Sequence, residues 1–344
     1  MCARRSALNS DPDDRLLLCH LTFALAVAAL ESGTEMQAGY RAPLVHAIGH
    51  HEVWAGALIN TLDQTFNHPE ESEARRRLAG FVALFILLAV TLGITGLALK
   101  IGDHFLSPSL MLIAQAIATT TLVAQKSLWT HVYAVFRALQ NDGLTGGRQA
   151  VSQIVGRDTT VLDEAGIVRA ALESLAENFS DGVVAPLFWA ALFGLPGAVF
   201  YKTVNTADSM IGHLTPRYAA FGMASARLDD LINLPASRLA ALCIILAAPH
   251  GQRREAWRAV WRDARKHRSP NAGWPEAAMA GALTLRLAGP RSYNGKEVPD
   301  HWMGNGTAQA TASDLKRGLS VYRRACGLLI IFLLSAALSG MMMG

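Results

Sequence analysis

The stretch that decides the fold is LAGFVALFILLAVTLGITGLAL, residues 78–99. It carries no charged side chain, and an apolar helix of about 20 residues is long enough to cross a bilayer. The whole composition agrees, because 51% of the 344 residues are hydrophobic and only 17% are charged. Soluble domains usually carry about 25% charged residues. We therefore predict an integral membrane protein.

Three further uncharged runs extend this prediction along the chain. Residues 105–123 and 326–343 are long enough to span, and a weaker run near 16–31 is interrupted by His20. The weaker run has an alternative interpretation as a cleaved signal peptide, although the aspartates in DPDD, residues 11–14, argue against it. The sequence thus predicts about four spans.

Basic residues next to the strongest span predict its orientation. Three arginines at 75–77 precede it, and the positive-inside rule places that end in the cytoplasm. We predict an N-terminal membrane region at 1–125, a large polar, cytoplasm-facing region at 126–325, and a C-terminal span at 326–344.

Two apolar segments interrupt the polar region, near 182–201 and 231–248. GLPG at 194–197 breaks the first, and the second contains Pro235 and Arg238. Such segments suit re-entrant or buried helices. If neither crosses the membrane, every polar segment of the region shares one face, which we favour. If both cross, the polar segment between them faces the other side.

The polar region is helical in character, so the predicted fold class is all-α and polytopic. VLDEAGIVRAALESLAEN, residues 161–178, has apolar residues at helical spacing with Asp163 as a cap, and we find no alternating strand runs. The four cysteines form no CxxC pair and indicate neither a disulfide framework nor a zinc site. The net charge of +4 suits a membrane protein better than a nucleic-acid binder.

Three acids lie just before the first apolar segment, in ESLAENFSDGVVAPLFW, residues 173–189. Glu173, Glu177 and Asp181 are spaced four apart, which places them on one face of a helix. A solvated face or pairing with Arg169 is the ordinary explanation. Acids that lead into an apolar segment are costly unless they are paired or bind a cation, and Mg²⁺ prefers such oxygen ligands.

Other polar clusters follow in the same region. Each has an ordinary explanation, such as a lysine reaching the membrane surface or a structural Arg–Asp pair. Together they suit Mg²⁺–phosphate chemistry, and equally an ion pathway. The clusters are Arg157 and Asp158; Lys202, Asn205 and Asp208; Arg227, Asp229, Asp230 and Asn233; and Lys266, Arg268, Ser269 and Asn271. The sequence contains no Walker A motif, and no acid-rich helix completes a metal pattern with His46, His50 and His51.

Several of these stretches closely resemble the CobD/CbiB family, the adenosylcobinamide-phosphate synthases of cobalamin biosynthesis. The resemblance covers about residue 47 to the C-terminus. It rests on SLWTHVYAVFRALQNDGL, IVGRDTTVLDEAGIVRAALE, ESLAENFSDGVVAPLFWAALFGLPGAVFYKTVNTADSMIGH, YAAFGMASARLDDLINLPASR, RKHRSPNAGWPEAAMAGAL and GPRSYNG.

The resemblance implies a multi-pass enzyme of the inner cell membrane with a cytoplasmic active site. The family joins (R)-1-amino-2-propanol or its O-phosphate to a propionate carboxylate of the corrinoid adenosylcobyric acid, and consumes ATP with Mg²⁺. We expect an acyl phosphate, because a free carboxylate has a poor leaving group. Membrane lipid and other cobalamin-pathway enzymes are the further partners expected.

The matching motifs supply the candidate site residues. The expected catalytic set is Glu173, Glu177, Asn178, Asp181, Lys202, Asn205 and Asp208, with Glu177 and Asp181 as Mg²⁺ ligands. The expected substrate- and phosphate-binding set is Arg157, Asp158, Arg227, Asp229, Asp230, Lys266, Ser269, Asn271, Glu276 and His50.

The N-terminal motif departs from the family pattern. In IGHHEVWAGALI, residues 48–59, His50 and Trp54 stay in register, but His51 and Glu52 replace a proline and a valine. This leaves a second hypothesis, a non-catalytic membrane sensor or assembly partner of the same family. A transporter is the third.

Overall fold

The computed structural model describes residues 51–293, 296–298 and 300–343. Eleven α-helices and four short strands occur within these residues. The helices are α1 His51–Phe66, α2 Glu73–Phe105, α3 Pro108–Thr120, α4 Gln125–Asn141, α5 Gly143–Val151, α6 Glu164–Phe179, α7 Ala185–Ile211, α8 Met223–Ala247, α9 Arg253–Asp263, α10 Gly273–Leu283 and α11 Ala312–Met343. The strands are β1 Leu287–Ala288, β2 Arg291–Tyr293, β3 Lys296–Val298 and β4 Trp302–Met303.

Five helical stretches in the described part are long and apolar enough to cross a membrane. They are Glu73–Phe105, Pro108–Asn141, Glu164–Ile211, Met223–Ala247 and Ala312–Ala336. The all-α, polytopic membrane fold is therefore confirmed. The predicted span near 16–31 lies outside the described residues. Both apolar segments that we favoured as non-crossing belong to helices of spanning length, because each helix begins well before its apolar run.

The chain divides into two compact units. Among the described residues, the first unit comprises 51–123, 186–232 and 330–343, and the second comprises those of 124–185 and 233–329. The predicted three-part division of the chain stays a prediction.

The first unit has a small apolar core and a broad apolar exterior. Ile59 of α1, Leu87 of α2 and Phe221 pack in this core. In contrast, Phe85 and Ile94 of α2 are exposed, as are most apolar side chains along that helix. Because α2 is apolar nearly all round, this exterior suits contact with lipid.

Gly194 reverses the chain within α7. Its backbone is non-helical, with φ 65° and ψ −154°, and helix continues on both sides. A Cβ on Gly197 would overlap the carbonyl oxygen of Trp189. In a straight helix, positions eight residues apart would be separated by about 12 Å. The close approach of Gly197 to Trp189 therefore shows that the two halves of α7 fold back on each other at GLPG. The predicted break in this segment is confirmed.

The second unit is built around α6. Most residues of this helix are buried, including Leu172 and Phe179. Phe179 meets the ring of Tyr322 edge-on at 5.5 Å, and the Tyr322 hydroxyl donates to the carbonyl oxygen of Gln125 at 2.8 Å. These contacts bring α4, α6 and α11 together.

Short strands in the second unit are an addition to the predicted all-helical pattern. β1 pairs with β4 and β2 with β3, both antiparallel. The strands are only two or three residues long, which is too short for an alternating apolar pattern.

Candidate functional site

The buried acid Glu173 joins three parts of the second unit. Its Oε2 accepts a hydrogen bond from Arg157 Nη2 at 2.7 Å, and its Oε1 accepts one from the backbone N–H of Ala288 at 2.9 Å. Arg157 belongs to the loop before α6, and Ala288 belongs to β1. A buried carboxylate is tolerated when such partners surround it. Glu173 is therefore held in an ion pair, with Arg157 as the basic partner.

The three acids predicted on one face do not share one environment. Glu173 is buried, Glu177 is exposed and Asp181 is half-buried. Asp181 also lies in a π-helical turn, Ser180–Val184, where the wider turn changes which residues align. The three acids therefore do not form one polar face. Glu173 is directed into the unit, and Glu177 is directed toward its exterior.

Asn178 and Asp158 are each held by a local contact. The Asn178 amide donates to the carbonyl oxygen of Ser174 at 2.9 Å. Asp158 accepts from the hydroxyl and the backbone N–H of Thr160, at 2.6 and 2.9 Å. These two hydrogen bonds lower the pKa of the Asp158 carboxyl.

Asn271 is the centre of a buried polar cluster in the second unit. Its Oδ1 accepts from Arg238 Nη1 at 2.9 Å and from the Ser237 hydroxyl at 3.1 Å. The Arg238 guanidinium also lies 4.4 Å from the ring centre of Trp274. Sequence reasoning proposed Asn271 but missed Ser237 and Trp274, since neither belongs to a charged motif.

Ser269 and Glu276 flank this cluster. The Ser269 hydroxyl accepts hydrogen bonds from the backbone N–H groups of Asn271 and Ala272, both at 3.2 Å, and so stabilises the turn that leads into α10. Glu276 is buried, and its Oε1 lies 3.8 Å from His267 Nε2. His267 is a further residue that the motif analysis did not propose.

Lys266 lies against a second buried acid, Asp263. Lys266 Nζ is 3.2 Å from Asp263, and Arg262 and the backbone N–H of Gly304 donate to the same carboxylate at 2.7 and 2.9 Å. Burial alone would raise the pKa of Asp263, but these hydrogen bonds lower it. Lys266 therefore contributes to a structural ion-pair network.

In the first unit, the structure brings together acids from α7 and α8. Asn205 Nδ2 donates to Asp229 Oδ1 at 3.3 Å. Asp208 interacts electrostatically with Asp230 and with His213 of the following loop. Thus two facing helices of spanning length present three acids and an amide to one another. Of the other predicted residues here, Lys202 is half-buried and Arg227 is exposed.

A cluster around Arg76 escaped sequence reasoning. Arg76 is only 8% exposed. Its guanidinium donates to Asn67 Oδ1 at 3.1 Å, to the carbonyl oxygen of Pro216 at 3.2 Å, and to that of Arg217. One of the three arginines used to orient the chain therefore fastens α2 to the loop between α7 and α8.

Asp63 completes this Arg76 cluster. Its carboxylate accepts from Asn67 Nδ2 at 2.7 Å and from Arg217 Nη2 at 2.6 Å, with the Tyr218 hydroxyl at 3.4 Å. The hydrogen bond to Asp63 raises the pKa of the Arg217 guanidinium. All these residues belong to the first unit.

The Arg76 cluster bears on topology. The loop 212–222 and the arginines at 75–77 lie at the same end of the helices, because Arg76 contacts Pro216 and Arg217 directly. The polar segment between the two apolar segments therefore lies on the same side as those arginines. The favoured arrangement, in which neither apolar segment crosses the membrane, stays a prediction.

A Mg²⁺ site and His50 remain predictions. No group of three or more His, Cys, Asp or Glu side chains in the described part is arranged to hold a metal ion. Mg²⁺ is also commonly bound by one or two carboxylates together with substrate phosphates and water, and this role of Glu177 and Asp181 stays a prediction. His50 lies outside the described residues.

The chain matches known proteins over the region that contains these motifs. The family model described as CobD/Cbib protein matches residues 34–322. The chain belongs to the CobD/CbiB family. Two relatives named "Cobalamin biosynthesis protein CobD" are each 47% identical to it. The one from Rhizobium meliloti (strain 1021) aligns over 84% of this chain and 89% of its own length. The one from Rhodobacter capsulatus aligns over 92% and 98%.

The CobD/CbiB match includes every candidate residue named above from Arg157 to Glu276 and also the Arg76 cluster. No solved structure gives a significant match. Membership of the family therefore rests on sequence, and the geometry of the site is that of this chain alone.

Proposed function

We propose that this protein is an amide-forming ligase of cobalamin biosynthesis. It would join (R)-1-amino-2-propanol or its O-phosphate to a propionate carboxylate of adenosylcobyric acid, with ATP as the co-substrate. Family membership and the names of the relatives support the pathway. The corrinoid is then the principal partner. Membrane lipid and other enzymes of the same pathway are the further partners that we propose.

The observation that carries this proposal is the meeting of α7 and α8. Asp208, Asp229 and Asp230 come together with Asn205 on helices that are long and apolar enough to span. Acids in such helices are costly and are usually retained for function. An ammonium group is a natural partner for such a group of carboxylates. We assign this cluster to binding the amine substrate.

The reaction requires an activated carboxylate. Transfer of the ATP γ-phosphoryl group to the propionate oxygen would give an acyl phosphate and ADP. The amine nitrogen would then attack the carbonyl carbon, form the C–N bond and expel phosphate. A carboxylate of the α7–α8 cluster would accept the proton that the amine loses.

Phosphoryl transfer depends on positioning and charge neutralisation. Mg²⁺, when bound, would neutralise phosphate oxygens, and we assign Glu177 and Asp181 to hold it. Glu173 keeps the Arg157 side chain beside α6 through their ion pair. We propose that this arginine and Lys202 serve as basic groups toward phosphate.

We propose the inner cell membrane as the location, with the reactive groups on the cytoplasmic side. ATP is a cytoplasmic metabolite, and the arginines at 75–77 mark a cytoplasmic end by the positive-inside rule. The loop 212–222 lies at that end. Both observations support access of ATP from the cytoplasm.

The test is an assay on purified, detergent-solubilised protein. Adenosylcobyric acid, Mg²⁺-ATP and either form of aminopropanol are supplied, and the corrinoid product is identified by mass. We expect a product heavier by the condensed amine, with ADP formed in equal amount. Corrinoid binding without condensation of either amine would instead support the non-catalytic partner.

Two substitutions connect the activity with the proposed residues. Asp208→Asn and Glu177→Gln should each abolish turnover while leaving membrane insertion intact. Glu73→Gln is the matched control, because Glu73 is an exposed acid on α2 that pairs only locally with Arg77 at 3.0 Å. Normal activity in either of the first two variants removes that residue from the proposed site.

A further inference from the structure

The helix α9 presents an unusual combination of side chains to the exterior. Its buried side is formed by Ala256, Ala259 and Val260. The opposite side carries Trp257 and Trp261, which remain 49% and 55% exposed. Two large aromatic rings on the outer side of a helix indicate a surface that meets something other than water.

Basic residues surround these two indoles. The run RREAWRAVWRDARKHR, residues 253–268, holds seven arginines and lysines against two acids. Arg254 and Arg258 are exposed and lie next to the tryptophans by helical spacing. A groove on this surface is lined by Trp257, Arg258, Trp261 and Arg262.

The acids of this segment are already engaged. Glu255 lies 3.5 Å from Arg262 and 4.0 Å from Arg258, and Asp263 binds Arg262 and Lys266. Arg258 keeps 64% of its side chain exposed despite its contact with Glu255. The outer side therefore retains positive charge beside aromatic surface.

The chain itself places α9 close to a membrane boundary. α8 is a candidate span that ends at Ala247, and α9 begins only six residues later, at Arg253. Six extended residues reach at most about 20 Å. Leu242 and Leu246 are exposed on the last turns of α8, so apolar exterior surface continues to the point where α9 begins.

We propose that α9 is an interfacial helix whose outer side binds the headgroups of anionic phospholipids. Tryptophan rings favour the headgroup region, because they are apolar with one polar edge. Arginine side chains beside them bind lipid phosphate and extend their apolar stems along the acyl boundary. The occupant is the membrane surface, and this proposal is independent of the proposed reaction.

The first experiment measures the depth of the indoles. The full chain is reconstituted into phosphatidylcholine vesicles containing phosphatidylglycerol, with bromine near the headgroup end of the acyl chains. Trp257→Phe/Trp261→Phe should lose most of the lipid-quenched fluorescence that the unaltered protein shows. Trp302→Phe is the matched control and should lose none, since Trp302 is packed between Arg169 and Arg286. Equal quenching with and without the two indoles overturns the proposal.

The second experiment measures lipid selectivity. Binding of phosphatidylglycerol and phosphatidylcholine to the detergent-solubilised protein is counted by native mass spectrometry. Each exposed arginine should contribute about fivefold in affinity for the anionic lipid. Arg254→Gln/Arg258→Gln should therefore weaken phosphatidylglycerol binding by roughly 25-fold and leave phosphatidylcholine binding unchanged.

The conservative variant separates charge from fold. Arg254→Lys/Arg258→Lys keeps both positive charges and should retain most of the preference for phosphatidylglycerol. Loss of binding in the glutamine variant alone supports the proposal. No preference for phosphatidylglycerol in the unaltered protein, or equal binding by the glutamine and lysine variants, overturns it and leaves an acidic protein partner as the occupant to examine.

Discussion

The buried arginine of α2 allows a sharp test, because an exposed arginine stands next to it. Arg76→Met keeps the length of the side chain and removes its hydrogen bonds to Asn67 and to the carbonyl oxygens of Pro216 and Arg217. Arg75→Met removes only an exposed pair with Glu71 at 3.9 Å. The two variants therefore change the same charge at adjacent positions.

The contacts allow the size of the effect to be estimated. Removing one partner from a buried, charged hydrogen-bond network costs about 3–5 kcal/mol. We take the lower value, about 3 kcal/mol, because the Arg217 carbonyl oxygen keeps the Asn67 amide as a donor at 3.1 Å. The exposed pair of Arg75 contributes about 0–1 kcal/mol.

The assay is thermal unfolding in detergent, followed by the loss of helical circular dichroism. For a chain of 344 residues, an unfolding entropy of about 2.1 cal/mol/K per residue converts a loss of about 3 kcal/mol into a midpoint lower by about 4 °C. Limited trypsin digestion at Arg217 should also become faster in Arg76→Met. Equal midpoints and equal cleavage rates in the two variants would refute the role given to Arg76.

Three further predictions concern single contacts. Glu173→Gln should lower the unfolding midpoint by an amount corresponding to about 3 kcal/mol, because the partly buried guanidinium of Arg157 loses its counter-charge; an unchanged midpoint contradicts this. The folded-state pKa of Asp263 lies below its unfolded value, so its contribution to stability is complete above about pH 5 and is lost as the pH falls through the folded-state pKa. Asp263→Asn should therefore flatten the fall of the midpoint between about pH 6 and 3, and an unaltered slope argues against the hydrogen-bonded carboxylate. Gly80→Ala should cost about 1–3 kcal/mol, because the added methyl overlaps the carbonyl oxygen of Phe221, whereas Gly93→Ala on the same helix meets open space and should leave the midpoint unchanged.

The membrane fold was predictable because its signals are local. A run such as residues 78–99 excludes charge over the length of a span, and the structure places it in α2. GLPG combines a residue that adopts positive φ with one that lacks an N–H, and Gly194 indeed interrupts α7. Both patterns depend on neighbours within one or two helical turns.

The buried ion pairs were less predictable because their partners are distant in sequence. Arg76 lies 140 residues before Pro216, and its neighbours Arg75 and Arg77 are exposed. From sequence, the three formed one basic run at a membrane boundary. Only the folded first unit distinguishes the arginine that is buried from the two that are not.

The predicted site shows both kinds of outcome. Asn205, Asp208, Asp229 and Asp230 come together, because α7 and α8 carry them on facing sides. Glu173 and Glu177 differ in burial although both lie on α6, and Asp181 lies in a π-helical turn, which leaves no mark in residue spacing. The catalytic and binding roles of all these residues remain predictions for the assay.

The distance along the chain between Arg76 and its partners also sets an order of events during synthesis. Arg76 leaves the ribosome 140 residues before Pro216. At about 5–20 residues per second, roughly 7–30 s pass before the acceptor carbonyls exist. Through that interval α2 must hold its arginine at the aqueous boundary. The Arg76 cluster therefore closes as a late step of biogenesis, after the translation of α7 and the loop that follows it.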